Sequence, residues 1–395
     1  MRLGSTDTWV RGFGSLVVCG ALSSFGGLTG CGSDSGSDDG SGASGGSGGN
    51  GASGGNGASG GNGASGGSGG VGGVGGTAGA GASGGTAGAG ASGGAAGTGA
   101  SGGSAGVGAS GGNGGSGAVT SNECFEDIQD GIVVWDYDVQ GISTGPHCSG
   151  TDHQDIQGIE RIVYLGDSIM NGTPPTPAND FVRSRLDRRL KELFPGAASQ
   201  SCARNGERNA DLMASQIPNC FPENVRSART LTLIISGGND IAALARDKPE
   251  LAQATAAANG YVNQLRSAVE WLKDSSRFPA GNDVVFANVY EYTDTSADLS
   301  SCPLANLVGL SGTWLNGAAV LTGMNEGYAK IAADTGADMV FMMETFCGHG
   351  YRAGRTDLQC YRGPGAENWF DISCIHPTPT GHNEIFKLFM NVIEN

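Results

Sequence analysis

The sequence predicts a three-layer α/β/α domain in which helices cover both faces of a mainly parallel central sheet. Three observations predict it. Short apolar runs rich in β-branched residues recur from residue 161 onward, and segments with helical apolar spacing alternate with them. The first three runs each end in a polar, glycine-containing turn, which puts those turns on one rim, the carboxyl edge where open α/β sheets bind ligands.

The first run, Arg161 to Gly166, reads as a buried strand that breaks into Gly166-Asp167-Ser168. The glycine allows a sharp turn, and the serine hydroxyl is left at the strand end. Taken alone, this serine fits a helix cap as well as a nucleophile. The proline-dense stretch Thr173 to Pro177 is loop. Asn179-Asp180 then offers a cap to a helix whose Val182, Leu186, Leu190 and Leu193 form one apolar stripe, ended by Pro195-Gly196. A second strand over Gln200 to Arg204 leads to Asn205-Gly206-Glu207. A third, Thr230 to Ser236, breaks into Gly237-Gly238-Asn239-Asp240. Leu251 to Lys273 has helical spacing, Asp283 to Val289 is strand-like, and Asn316 to Thr335 is helical. Asp338 to Met343 is a further strand, and Gly381 to Glu394 is a closing helix.

The remainder of the chain is of a different kind. Of 395 residues, 74 are glycine, most of them in one block, so the globular part is judged separately. Residues 1–30 read as an export signal: Arg2 and Arg11 flank a short core of apolar and small residues, too short and too Gly/Ser-rich for a membrane span. Leu28-Thr29-Gly30-Cys31 resembles a bacterial lipoprotein box, which implies lipidation at Cys31 and an exported protein held at a membrane. Residues 31–120 repeat Gly-Ala-Ser-Gly-Gly-Asn in steps of six, then a related unit in steps of nine, without large apolar residues to stack. That composition reads as a disordered linker; a coil of about 88 residues spans roughly 50 Å root-mean-square. Residues 121–160 read as a disulfide-pinned lead-in, with an extra strand at Gly131–Trp135, and residues 161–395 as the folded domain with one sizeable core.

The formal charge of −16 comes without any Lys/Arg-rich run, which argues against a nucleic-acid partner and gives no pull towards anionic lipid. Of 10 cysteines, Cys19 lies in the signal and Cys31 at its end. An even remainder in an exported domain implies disulfides, and the local pairs Cys124–Cys148 and Cys202–Cys220 are the preferred ones among 105 full pairings. The cysteines and histidines show no zinc-ligand spacing, so the sequence calls for no metal and no cofactor.

Gly166-Asp167-Ser168, Gly206, Gly237-Gly238-Asn239-Asp240 and His376-Pro377 match, in order, the four blocks of the GDSL (SGNH) serine hydrolases. The resemblance spans 161 to the C-terminus and implies the flavodoxin-like SGNH fold. It also implies Ser168 as nucleophile, His376 as general base, and an oxyanion hole made by Ser168 N–H, Gly206 N–H and the Asn239 amide. Read without it, Gly206 fits a turn and Asn239-Asp240 fits a helix cap. His382 competes with His376 as base, while His147, His153 and His349 read as bystanders. The family commonly carries an aspartate three residues before the histidine, where this chain has Ser373. Asp371 would reach the imidazole if the chain folds back at Cys374; otherwise a backbone carbonyl, that of Ser373, holds the ring. The carbonyl is the favoured reading. The expected activity is hydrolysis of carboxylic esters by an exported serine esterase, short-chain or carbohydrate acyl esters being favoured. A lipase or phospholipase of the same fold, and a non-catalytic surface-binding module, are the alternatives.

Overall fold

The computed structural model describes residues 119–120, 124–125, 143–144 and 148–394. The signal expected at 1–30, Cys31, the linker expected up to residue 118, His147 and the strand expected at Gly131–Trp135 lie outside the described residues.

Five parallel strands form the central sheet. They are β1 (Arg161–Gly166), β2 (Ala198–Ser201), β3 (Thr230–Ile235), β4 (Asn282–Ala287) and β5 (Asp338–Val340), in the spatial order β2-β1-β3-β4-β5. Every residue of β1, β3 and β4 is buried, as continuous apolar runs in a doubly covered sheet must be. The polar β2 is exposed throughout, which suits an edge. Arg161 pairs with Ala198 of β2 on one side and Thr230 of β3 on the other. The chain therefore leaves β1 towards one edge and returns to its other side. The topological switch point lies between β1 and β3, the place where this architecture opens a crevice at the strand ends.

Helices α1 (Ser168–Asn171), α2 (Val182–Leu193), α3 (Gly238–Asp247), α4 (Leu251–Lys273), α5 (Gly317–Thr335) and α6 (Pro379–Ile393) follow in chain order. The α4 helix packs on α5, and α6 packs on α2. The stripe expected on α2 is present, with Val182, Leu186 and Leu190 fully buried. Thr378 caps α6, its hydroxyl accepting from Gly381 N at 3.2 Å, with Pro379 opening the first turn.

Two strands differ from expectation. The second begins at Ala198 instead of Gln200, yet Cys202 N and Arg204 N still donate to Tyr164 O (2.9 Å) and Gly166 O (3.0 Å), so the predicted stretch continues to track β1. β5 stops at Val340, and Met342–Phe346 turns into a short helix. There Met343 N donates to the Asn288 side chain at 2.8 Å, so a side-chain amide takes the place of a ladder partner.

The lead-in covers the outer edge of β5. Gly150 bridges Val340 in antiparallel fashion, and Phe341 N donates to Ser149 O at 2.9 Å. Disulfides join Cys124–Cys148 and Cys202–Cys220, as preferred, together with Cys302–Cys374 and Cys347–Cys360. Four such bridges suit an oxidising, extracytoplasmic compartment. Among the described residues no helix is long and apolar enough to cross a membrane.

Candidate active site

The end of β1 is built around Gly166. Its φ is +121°, and a side-chain carbon there would collide with the Ile235 carbonyl oxygen of β3, so only glycine fits. The Gln216 side chain then clamps this residue, its Oε1 accepting from Gly166 N at 2.7 Å and its Nε2 donating to Gly166 O at 2.8 Å. Asp167, not Ser168, caps the next helix: its Oδ1 accepts from Ile169 N at 2.9 Å. The serine hydroxyl is thus left for another partner. Asp167 is buried, and burial pushes its carboxyl up to about 7 against the opposing pull of the Ile169 N–H.

That partner is His376. Ser168 Oγ lies 2.8 Å from His376 Nε2 across 208 residues of sequence. His376 sits on an irregular loop whose backbone closes on itself: Asp371 N donates to His376 O, and Cys374 N to Asp371 O, each at 2.9 Å. Cys374 adopts a left-handed φ of +73° at the bend and is tied by its disulfide to Cys302. The chain does fold back at Cys374, but the backbone carbonyl expected on Nδ1 is not the group found there. The Ser373 hydroxyl lies 2.9 Å from His376 Nδ1 and donates to Asp371 Oδ1 at 2.5 Å; Asp371 Oδ1 also accepts from Ser373 N at 2.8 Å.

This order fixes the protons. An ionised carboxylate only accepts, so the Ser373 proton points to Asp371 and its lone pair accepts from Nδ1–H. Nδ1–H leaves Nε2 unprotonated and facing the Ser168 hydroxyl, the tautomer a general base requires. The chain Ser168–His376–Ser373–Asp371 is a hydrogen-bonded line with one more hydroxyl than a Ser-His-Asp triad. Burial lowers the His376 pKa below the ordinary 6.5, and the Asp371 charge works against that shift.

Asn239 stands in the first turn of α3 and does not cap it; the N-cap is Gly237. Its Nδ2 donates one proton to Glu207 O at 2.9 Å, and the amide's second proton remains for another acceptor. Gly206, next to Glu207, has a φ of +82° and is exposed, an arrangement that keeps a side chain off the backbone N–H. The Gly206 loop is held from three sides. Glu207 O takes the Asn239 amide, the Glu207 carboxylate pairs with Gln216 Nε2, and Asn209 N donates to Asp240 Oδ2 at 3.0 Å. Burial raises the Asp240 carboxyl to about 6. Ser168 and Asn239 line one cavity of about 110 Å³.

The other histidines are engaged elsewhere. His382 is buried in the first turns of α6, its Nδ1 accepting from Val182 N at 3.2 Å, and burial drops its pKa to about 3. His153 Nδ1 meets Ala337 O at 2.7 Å, and His349 stacks on Trp369 at 3.4 Å. Sequence reasoning missed Gln216, Asn209 and the hydroxyl role of Ser373. Only the spacing of Ser373, three before His376, could have signalled the last.

Residues 164–383, more than half of the chain, match the GDSL-like lipase/acylhydrolase family. The chain belongs to that family. Membership in the GDSL-like acylhydrolases makes it a hydrolase, and the five-stranded parallel sheet with flanking helices is the architecture that goes with it. Among solved structures, the chain is similar to an extracellular lipase from Streptomyces rimosus (22% identity, 59% of this chain and 99% of that one, TM-score 0.39). It is similar also to phospholipase A1 from Streptomyces albidoflavus NA297 (20% identity, 59% and 98% coverage, TM-score 0.39). A third is the acetyl xylan esterase AlAXEase (10% identity, 59% and 99% coverage, TM-score 0.40). No curated protein matches the chain.

Proposed function

We propose that the chain is an extracytoplasmic serine esterase that hydrolyses carboxylic esters through an acyl-enzyme at Ser168. The observation that carries this reading is the 2.8 Å contact between Ser168 Oγ and His376 Nε2, with Ser168 lining the same cavity as Asn239. Ser168 Oγ attacks the ester carbonyl carbon while its proton passes to His376 Nε2. The carbonyl oxygen becomes an oxyanion, received by Ser168 N–H, Gly206 N–H and the free Asn239 amide proton. His376 returns the proton to the leaving alkoxide oxygen as the C–O bond breaks. Water then attacks the acyl carbon, losing a proton to Nε2; as the bond from that carbon to Ser168 Oγ breaks, Nε2 passes the proton to Oγ, and the acid leaves.

Ser373 and Asp371 hold the imidazole in the right tautomer and stabilise the imidazolium at one remove. The charge acts through a hydroxyl, so its effect is weaker than that of a carboxylate placed directly on Nδ1. The same residues leave the non-catalytic reading without support. A signal at 1–30 and a lipid on Cys31 would tether the enzyme to a membrane through the glycine-rich 31–120 segment, and Cys31→Ser would release the protein into the soluble fraction. If that variant stays with membranes, the anchor is elsewhere.

The test is turnover of p-nitrophenyl esters by the purified full chain. Wild type hydrolyses at least one member and Ser168→Ala none above background. Equal rates in the two would refute the nucleophile assignment.

A further inference from the structure

An asparagine followed directly by glycine can react with its own backbone. No side chain on the glycine shields its nitrogen, which can close on the neighbouring carboxamide. The folded part of the chain holds four such pairs: Asn171-Gly172, Asn205-Gly206, Asn259-Gly260 and Asn316-Gly317. In three of them the glycine nitrogen is engaged. Gly172 N donates to Ser168 O at 2.8 Å, and Gly317 N donates to Trp314 O at 2.9 Å. Gly260 lies in the interior of α4, within its ladder of backbone bonds.

Asn205-Gly206 is different. Both residues are exposed, at the middle of a turn that Glu207 N closes on Arg204 O at 3.4 Å. Gly206 N has no hydrogen-bond partner among the described residues. The Asn205 carboxamide is held and polarised, its Oδ1 accepting from Asn171 Nδ2 at 2.8 Å. That bond draws electrons from Cγ and would stabilise the negative charge that forms on Oδ1 when a nucleophile adds.

We propose that Asn205-Gly206 is a site of spontaneous succinimide formation, and that this modification consumes the oxyanion donor of Gly206. Gly206 N loses its proton to solvent base and attacks Asn205 Cγ. The new N–C bond closes a five-membered ring, the bond from Cγ to Nδ2 breaks, and the nitrogen leaves as ammonia with a proton from water. Water later opens the ring at either carbonyl, giving aspartate or isoaspartate. In the ring, Gly206 N is bonded to carbon on all three sides and carries no hydrogen. In isoaspartate the N–H returns, but on a backbone lengthened by a methylene. The openness that suits Gly206 to an oxyanion hole is also what exposes it. The loss of activity rests on the proposed role of Gly206 N–H; the modification does not.

The experiment ages the purified full chain at mildly alkaline pH, with a parallel sample kept mildly acidic, where the backbone nitrogen holds its proton. Samples taken over days are mapped by mass spectrometry, assayed for isoaspartate, and tested on a p-nitrophenyl ester that fresh enzyme hydrolyses. The Asn205 peptide should lose ammonia and then gain isoaspartate, faster in the alkaline sample, while the Asn171, Asn259 and Asn316 peptides stay intact. Turnover should fall in proportion to the succinimide and isoaspartate fraction, because loss of an oxyanion donor lowers kcat by about 10²–10³-fold. Asn205→Gln would need a larger ring, and it should hold its initial turnover throughout. An unmodified Asn205 peptide overturns the site. A modified peptide with undiminished turnover, or an equal decline in Asn205→Gln, overturns the link to activity. If Asn205→Gln fails to fold, the wild-type time course decides both points. Fresh wild type that hydrolyses no ester contradicts the esterase reading, and the peptide map still decides the modification.

Discussion

The two halves of the proposed catalytic pair are held by opposite means. Ser168 follows a six-residue strand, buried along its whole length and hydrogen-bonded on both sides, so its position is set by the sheet. His376 lies on a loop without regular secondary structure, positioned by one disulfide, one left-handed residue and the Asp371 side chain. The strand end owes its shape to local sequence and ladder pairing. The histidine loop owes its shape to the turn at Asp371 and is tied through Cys374 to Cys302, 72 residues away in sequence. The nucleophile side should therefore tolerate changes outside its own turn, whereas the base side should be adjustable piece by piece.

The largest effect expected from any supporting residue is on the strand side. Asn239→Ala removes one of the proposed oxyanion donors and should lower kcat by about 10²–10³-fold with little change in KM. A rise in KM at constant kcat would instead make Asn239 a substrate-binding residue.

On the loop side, Ser373→Ala breaks the line to Asp371 and should lower kcat by roughly 10–100-fold. The pH profile sharpens this. His376 must be neutral to act, and burial depresses its pKa, so activity should persist below pH 6.5 and fall only as pH drops through the lowered value. Ser373→Asp places a carboxylate directly on Nδ1, favours the imidazolium and should move the acid limb to higher pH. In that background Asp371→Asn should matter less than it does in the wild type. If Ser373→Ala is fully active with an unmoved acid limb, the hydroxyl link has no role.

The smallest catalytic effect is expected from paired Cys302→Ala and Cys374→Ala substitutions. Opening a loop of this length costs about 4 kcal/mol of stability. With the loop still closed by its own backbone bonds, kcat should fall only about threefold to tenfold. A loss as large as that of Asn239→Ala would make the disulfide, and not the Asp371 turn, the main determinant of His376 geometry.

The same contrast explains what was legible in the sequence. The strands, the long helices α4 and α5, and Ser168, Asn239 and His376 each carry a local signature: periodicity, a glycine break, or a motif in order. In the sequence Ser373 reads as a gap in the pattern and a backbone carbonyl as the better partner, because the hydroxyl matters only once the chain folds back at Cys374. Gln216 was invisible for a similar reason; its role is to clamp both backbone atoms of Gly166 from 50 residues away. The cavity lining at Leu299, Leu310 and Trp314 comes from a stretch with no period to read.

The most direct test of the central claim is to trap the intermediate. The full chain is mixed with a p-nitrophenyl ester, quenched in acid within the first turnovers, digested and examined by mass spectrometry. The account predicts an acyl adduct on the peptide containing Ser168, absent in Ser168→Ala and strongly slowed in His376→Ala. An adduct on a different residue, or continued hydrolysis by Ser168→Ala at the wild-type rate, would contradict it.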